Sequence, residues 1–328
     1  MTVVLSMITY RSVERLGSTL FTDVLESSLT VPYNSIILVD DSPSGLTREV
    51  VRQFAEESGK ELVVLKSRLY GGATTPTRAT ARQTAVDAFL ESFTEEWLFF
   101  LDDDFVLSPG FWSEASQHLG DQRVGEVWGI NWDAVDDRKR YLEALGVNYE
   151  HYLIEAWKRR GGTHDTLFRR EALEGVLIPW ELHIYEDAWL HHYVRCRGFE
   201  ARVVHSSGKH YSPVKSLKLR EEKERWTQAV EAAVKYGIVE YEFIEEAARS
   251  DSLSRRVLAT LSLTRPILGF PLQLLIQLKL QRNPVTAFST ATRRQYLKLW
   301  NRYLVAKNAG RLPQLPDVCE KVLSHTRR

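Results

Sequence analysis

Trp97-Leu98-Phe99-Phe100-Leu101-Asp102-Asp103-Asp104 passes from five large apolar side chains to three carboxylates with no turn residue between them. A short continuous apolar run is the pattern of a strand buried on both faces, as in a parallel sheet. Adjacent carboxylates at its end repel one another unless a cation offsets them. Oxygen-only ligation suits Mg²⁺ or Mn²⁺, and such a metal bridges two phosphate oxygens. A helix cap or a solvated turn also uses aspartates, but neither needs a buried strand leading into it.

On both sides of this segment short apolar runs alternate with helical patterns, the order of βαβ units and a mostly parallel sheet. Val3–Ile8 reads as the first strand and Val13–Ser27 as an amphipathic helix. Ser35–Val39 is a second strand ending in Asp40-Asp41-Ser42-Pro43. Thr47–Ser58 reads as a helix, Glu61–Leu65 as a third strand and Arg78–Phe93 as a further helix. Trp97–Leu101 is then the fourth strand. Beyond it, Val124–Ile130 and Glu200–Val204 read as strands, Leu190–Arg197 as a helix ended by Gly198, and Ser216–Glu246 as a charged helix. Tyr141–Arg160, closed by Gly161-Gly162, follows no clear period. In open α/β sheets ligands bind beyond the carboxyl ends of the strands, where both Asp40-Asp41 and Asp102 to Asp104 fall.

The chain of 328 residues is 44% apolar and 26% charged, ordinary for a folded protein and enough for one large α/β domain with an appendage. Val3–Ile8 lacks a basic segment before it and a cleavage site after it, so it reads as a strand and not a signal peptide. Two cysteines, Cys196 and Cys319, argue against a disulfide framework or a cysteine metal site and fit a reducing cytoplasm. The formal net charge of zero hides a division. Ser252 onward carries 14 bases and 2 acids, a net of +12, leaving −12 on the residues before it. From Ser252 to Pro316 there are eleven Lys/Arg and no Asp or Glu. Within that tail the block Pro266–Leu280 is apolar but too short to span a bilayer, which needs about 20 residues. Apolar residues flanked by Lys/Arg and by Trp300, Tyr296 and Tyr303 suit an anionic membrane surface. The competing expectation is a helical subdomain packed on the acidic domain; a nucleic acid would have no use for the apolar block.

The ordered set of segments resembles the family 2 glycosyltransferases of GT-A fold, over residues 3–212. Val4-Leu5-Ser6-Met7-Ile8-Thr9-Tyr10 is similar to the family's first strand and Ile37-Leu38-Val39-Asp40-Asp41-Ser42 to its second. Gly71-Gly72 with Ala81-Arg82-Gln83 resembles its glycine-rich loop and following helix. Phe100 to Asp104 resembles its F-L-D-x-D motif. Leu167-Phe168-Arg169-Arg170-Glu171-Ala172-Leu173, Tyr185-Glu186-Asp187-Ala188-Trp189-Leu190 and Arg197-Gly198-Phe199 resemble its acceptor-side pattern.

The resemblance implies a Rossmann-like, mostly parallel α/β sheet flanked by helices over 1–215; the charge and apolar pattern beyond it lead us to expect a basic, helical, membrane-associating extension over 216–328. The resemblance also implies inverting transfer from a UDP- or GDP-sugar with Mg²⁺ or Mn²⁺. Thr9, Tyr10, Arg11, Asp40, Asp41, Arg82, Asp102, Asp103 and His164 would meet the donor. Asp102 and Asp104 would hold the metal, Asp187 would be the base, and Glu186 beside it would tune that base or bind the acceptor. The acceptor would be a lipid-linked saccharide or polyprenyl phosphate at the cytoplasmic face. Where some relatives on polyprenyl phosphate carry a further polar ligand, this chain has Val106. The third protein ligand is therefore expected from His210, ahead of His205. Glu222-Lys223-Glu224-Arg225-Trp226 resembles an acceptor motif of processive synthases only faintly, and Trp226 reads as core. Two alternatives stay open: a haloacid-dehalogenase-like phosphohydrolase with Asp102 as nucleophile, and an inactive nucleotide-binding module.

Overall fold

In the computed structural model Trp97–Leu101 forms a strand, β4, of which every residue is buried. Described are residues 2–133, 150–151, 154, 157–158, 161–211, 219–238, 267, 270–280, 283–308 and 318–326. The chain divides into two compact units, Met1–Val214 with Cys319–Arg328, and Lys215–Val318. The expected extension over 216–328 differs in that its last residues belong with the first unit.

In the first unit, β1 (Val3–Thr9), β2 (Tyr33–Asp40), β3 (Glu61–Leu65) and β4 lie parallel. The sheet continues through the two-residue β5 (Phe105–Val106), β6 (Val124–Asp133), β7 (Asp165–Arg169) and β8 (Glu200–His210) in the order β3-β2-β1-β4-β7-β6-β8-β5. Strand β7 runs antiparallel to both β4 and β6, while β6 and β8 are parallel. This is the mixed, mostly parallel sheet expected from the alternating runs. Strand order reverses around β1, with β2 on one side and β4 on the other, and Thr9, Asp40 and Asp102 come together at the carboxyl edge there.

The expected helix over Val13–Ser27 is two helices, α1 (Ser12–Leu16) and α2 (Ser18–Ser28). Gly17 between them has φ of +81°, a conformation that a helix cannot contain. After α3 (Leu46–Ser58), α4 (Arg78–Ser92) is buried along most of its length, from Ala79 through Phe89. Thr77 caps it, accepting from the Thr80 N–H while Thr80 reaches back to the Thr77 N–H. Two further helices are α5 (Phe111–Leu119) and the single turn α6 (Arg170–Leu173). Helix α7 (Glu186–Cys196) begins before the expected Leu190, placing Glu186 and Asp187 in its first turn, where the dipole favours acids.

Cys196 at the end of α7 is bonded to Cys319 of α11 (Val318–Ser324), 123 residues away, with Cα atoms 5.1 Å apart. This corrects the expectation that the cysteines form no disulfide link. Two cysteines allow a single pairing, but a separation of 123 residues does not disclose that the bond forms. Val176 bridges Thr326, the His325 ring stands edge-on to Trp189, and Val322 is buried.

In the second unit, α8 (Leu219–Tyr236), α9 (Phe270–Leu280) and α10 (Pro284–Asn308) are described. Trp300 Nε1 donates to Thr227 Oγ1 at 2.9 Å, and Lys223 Nζ sits 3.7 Å from the centre of the Trp300 ring. The end of the expected Ser216–Glu246 helix, the Tyr141–Arg160 segment for the most part, and the side chain of Trp226 lie outside the described residues. No helix among the described residues is long and apolar enough to cross a membrane.

Arg169 of β7 is 1% exposed and has no carboxylate within ion-pairing distance among the described residues. Its guanidinium donates instead to the carbonyls of Val124 (2.7 Å), Leu119 (2.8 Å) and Asp121 (2.9 Å), and lies over the Trp97 ring. It thereby neutralises the open carbonyl end of α5, as a cation at a helix C-terminus does. Arg169→Met keeps the apolar stem but leaves these carbonyls without a donor. Urea denaturation is expected to show a loss of about 3 kcal/mol; an unchanged midpoint would mean that water replaces the guanidinium.

Candidate active site

The carboxyl ends of β1 and β2 form one side of the site. Asp40, fully buried, accepts at Oδ1 from Thr9 Oγ1 (2.9 Å) and from the N–H (3.1 Å) and hydroxyl of Ser42. Its Oδ2 has no hydrogen-bond partner among the described residues and faces Arg48 Nε at 3.6 Å. Arg11 is the one non-glycine residue with positive φ among those described, at 54°, and its N–H donates to Ser42 Oγ. Such a backbone is held against its preference by its surroundings. It leaves Tyr10 55% exposed at the mouth of the site with the Arg11 guanidinium near its ring. Asp41 turns the other way and accepts from the Ser67 N–H and hydroxyl. It pins the start of the loop holding Gly71 and Gly72, both at positive φ.

Arg82 stands at the centre. It is 3% exposed, donates from Nη2 to Asp102 Oδ1 at 2.9 Å and from Nε to Glu186 Oε1 at 3.3 Å, and lies over the Phe100 ring. One guanidinium thus ties α4 to the end of β4 and to the first turn of α7. Burial alone would raise the Asp102 pKa, but Arg82, then His164 and Arg78, hold it at about 2. For Glu186 the balance goes the other way. Burial, reinforced by neighbouring Asp187, outweighs Arg82 and pushes it up to about 7. Asp187 is only partly buried and accepts from the Ala188 N–H at 2.8 Å. Of the two acids, Asp187 is the one open to solvent.

The three aspartates have three fates. Asp103, expected to meet the donor, is committed elsewhere: both its oxygens accept from Arg15 Nη2, at 2.8 and 2.9 Å, and Ser12 donates to one of them. Asp104 faces His210, whose Nε2 lies 3.1 Å from Oδ1, because the β5–β8 register sets Phe105 opposite His210. The His210 ring stacks on His164 at 5.5 Å, and His164 Nδ1 is 3.9 Å from Asp102 Oδ2. Burial lowers the His164 pKa to about 4, so at neutral pH that contact is not an ion pair and the imidazole is a neutral donor or ligand. His205 lies apart, with its ring on Glu150 and its N–H on Glu114.

No set of three or more His, Cys, Asp or Glu side chains among the described residues stands assembled around a common point as a metal cage. The donor chemistry nevertheless fits a hard divalent ion. Neighbouring ligands of an octahedral ion are about 3.0 Å apart when bonds are about 2.1 Å, close to the 3.1 Å between Asp104 and His210.

Arg78 escapes the motifs altogether. It is exposed in the first turn of α4, where a cation opposes the helix dipole. Desolvation lowers its pKa, but Glu186, Asp102, Asp187 and Asp104 outweigh that and raise it. The only sequence signal is a base four residues before Arg82, one helical turn away.

The sequence profile described as Glycosyl transferase family 2 matches residues 6–177, just over half of the chain. No curated protein matches it. Among solved structures, the mannosyltransferase PcManGT from Pyrobaculum calidifontis, in complex with GDP-Man and Mn²⁺, is 17% identical with a TM-score of 0.50, covering 98% of this chain and 78% of that one. Glucosyl-3-phosphoglycerate synthase from Mycobacterium tuberculosis is 16% identical with a TM-score of 0.47, covering 73% and 81%. Residues 1–349 of S. aureus TarS are 14% identical with a TM-score of 0.46, covering 94% and 90%. At 17% identity the likeness to the Pyrobaculum enzyme is one of fold. The profile, by contrast, runs from β1 through both acidic strand ends and β7, and on that match the chain belongs to glycosyl transferase family 2.

Proposed function

We propose that this glycosyltransferase moves a sugar, with inversion, from a UDP- or GDP-sugar to a lipid-linked saccharide or polyprenyl phosphate, using a divalent metal and Asp187 as base. The observation that carries the proposal is the partition of the two α7 acids. Glu186 is buried on Arg82, and Asp187 beside it is partly exposed, with no ion pair within 4 Å among the described residues. The GDP-Man and Mn²⁺ in the Pyrobaculum complex are in keeping with this choice of donor and metal.

In this reading the nucleoside lies against Thr9, Tyr10 and Arg11, above the buried Asp40, and Arg82, Asp102 and His164 border the diphosphate. Asp102, Asp104 and His210 would hold Mg²⁺ or Mn²⁺, which when bound stabilises the negative charge of a departing diphosphate. Arg78 adds a cation on the same side of the site. Asp187 takes the proton of the acceptor hydroxyl while its oxygen attacks the anomeric carbon and the bond to the diphosphate breaks from the opposite face. Glu186, held by Arg82, positions Asp187 and does not itself reach the acceptor. Asp41 and Asp103 act behind the site, through Ser67 and Arg15. The phosphohydrolase alternative has less support, because Asp102 closes the fourth strand and its Oδ1 is held by Arg82.

Asp104→Ala should abolish the Mn²⁺ dependence of nucleoside diphosphate binding, measured by calorimetry with and without metal, at unchanged circular dichroism. Equal affinity under both conditions in the wild type would remove the metal from the proposal. Asp187→Asn should leave donor affinity intact and reduce transfer about a hundredfold or more, the scale of a general base. If transfer survives with a phosphate acceptor and fails with a hydroxyl acceptor, the acceptor arrives ionised. Arg78→Ala should cut kcat by about tenfold, with helix content unchanged; no change in kcat would leave the residue without a part in the reaction.

A further inference from the structure

Among the described side chains of helices α9 and α10, several large apolar ones are turned to solvent while Gln277, Ala287, Ala291 and Gln295 are buried; Leu304 of α10 is a buried exception. On α9, Pro271, Leu275 and Leu278 are exposed at i, i+4, i+7 spacing, which is one helix face, and Ile267 is exposed a turn earlier; Gln277 is buried. On α10, Val285, Phe288, Tyr296 and Tyr303 are exposed along one stripe, while Ala287, Ala291 and Gln295 are buried. Val285 is 77% and Phe288 54% exposed. Burial in water selects the reverse arrangement, and exposed apolar faces on neighbouring helices mark a contact surface. The helices are neighbours here, since Phe270 and Phe288 meet edge to face at 5.9 Å.

Charge selects the occupant. Ser252–Pro316 contains eleven Lys/Arg and no acid, so the segment's charge is complementary to an anionic surface. Neither helix is long and apolar enough to cross a bilayer. A face that is apolar along its centre, carries tyrosines on the same stripe and belongs to an all-basic segment has the chemistry of a helix lying in the headgroup layer. We propose that α9 and α10 dock this enzyme on an anionic lipid surface, with the Leu275/Phe288 stripe inserted at the acyl boundary. The proposal stands on the second unit's own residues and is independent of the transfer chemistry.

The full chain would be sedimented with phosphatidylcholine vesicles containing or lacking phosphatidylglycerol, at low salt and at about 1 M NaCl, where the screening length falls to about 3 Å. Binding is expected only to the anionic vesicles, with part of it surviving high salt, because apolar insertion is not screened. Leu275→Ser combined with Phe288→Ser should weaken binding on the order of tenfold and remove the salt-resistant part, with helix content unchanged. Should that pair lose helicity, Val285→Ser with Tyr303→Ser replaces it. The proposal is overturned if the full chain stays in the supernatant, or if high salt releases all of it. Binding of the variants equal to wild type would also overturn it. A dimer in sedimentation velocity that the variants abolish, without vesicle binding, would assign the face to a second copy of the chain.

Discussion

The carboxyl edge of the sheet is organised around the buried guanidinium of Arg82. Burying a cation costs several kcal/mol unless partners replace its water, and here two carboxylates from different elements do so. The pairing is possible because α4 is buried on nearly every side and its N-terminal turn points at the carboxyl edge of the sheet. Asp102 and Glu186 compete for one positive charge, and they emerge with opposite character: Asp102 is held firmly ionised, and Glu186 is pushed toward its neutral form. Asp187 takes its place from this contest, since it follows the residue that Arg82 grips. A change at position 82 would therefore act on Asp102 at the end of β4 and on the first turn of α7 together.

The same logic explains why three adjacent aspartates are tolerated. Asp103 points back to Arg15 and Ser12 of α1, Asp102 to Arg82 and Asp104 to His210. Each has its own partner from a different part of the chain, so their repulsion is met locally and not by one shared ion alone. The stacked His164 and His210 then sit across the gap between Asp102 and Asp104.

Strand β4 is legible in the sequence because five apolar residues end on a hard boundary, and β1 and β2 for the same reason. Strand β7 is not, because Asp165, Thr166 and Arg169 interrupt its apolar character although all three are buried. Asp165 is pushed well above the usual carboxylate range by burial, a state that composition cannot reveal. It also fills the space at Gly129, where a Cβ would meet its Oδ2 at 2.0 Å. His210 is legible only as a histidine after a strand, and it is the pairing of β5 with β8 that brings it to Asp104. Asp103 reads as a donor contact in a run of aspartates, yet Arg15, 88 residues away, claims it. Long-range pairings of this kind are what local pattern leaves out.

The return of residues 319–326 to the first unit bears on how the chain is made. Helix α7 leaves the ribosome long before its partners Cys319 and His325, which follow the whole of Lys215–Val318. At typical synthesis rates that interval is on the order of ten seconds. Through it the back of the helix bearing Glu186 and Asp187 stands uncovered, with Trp189 and Cys196 open to solvent or to a chaperone. Folding from the N-terminus onward can assemble the sheet, but the covering of α7 has to wait for translation of the second unit.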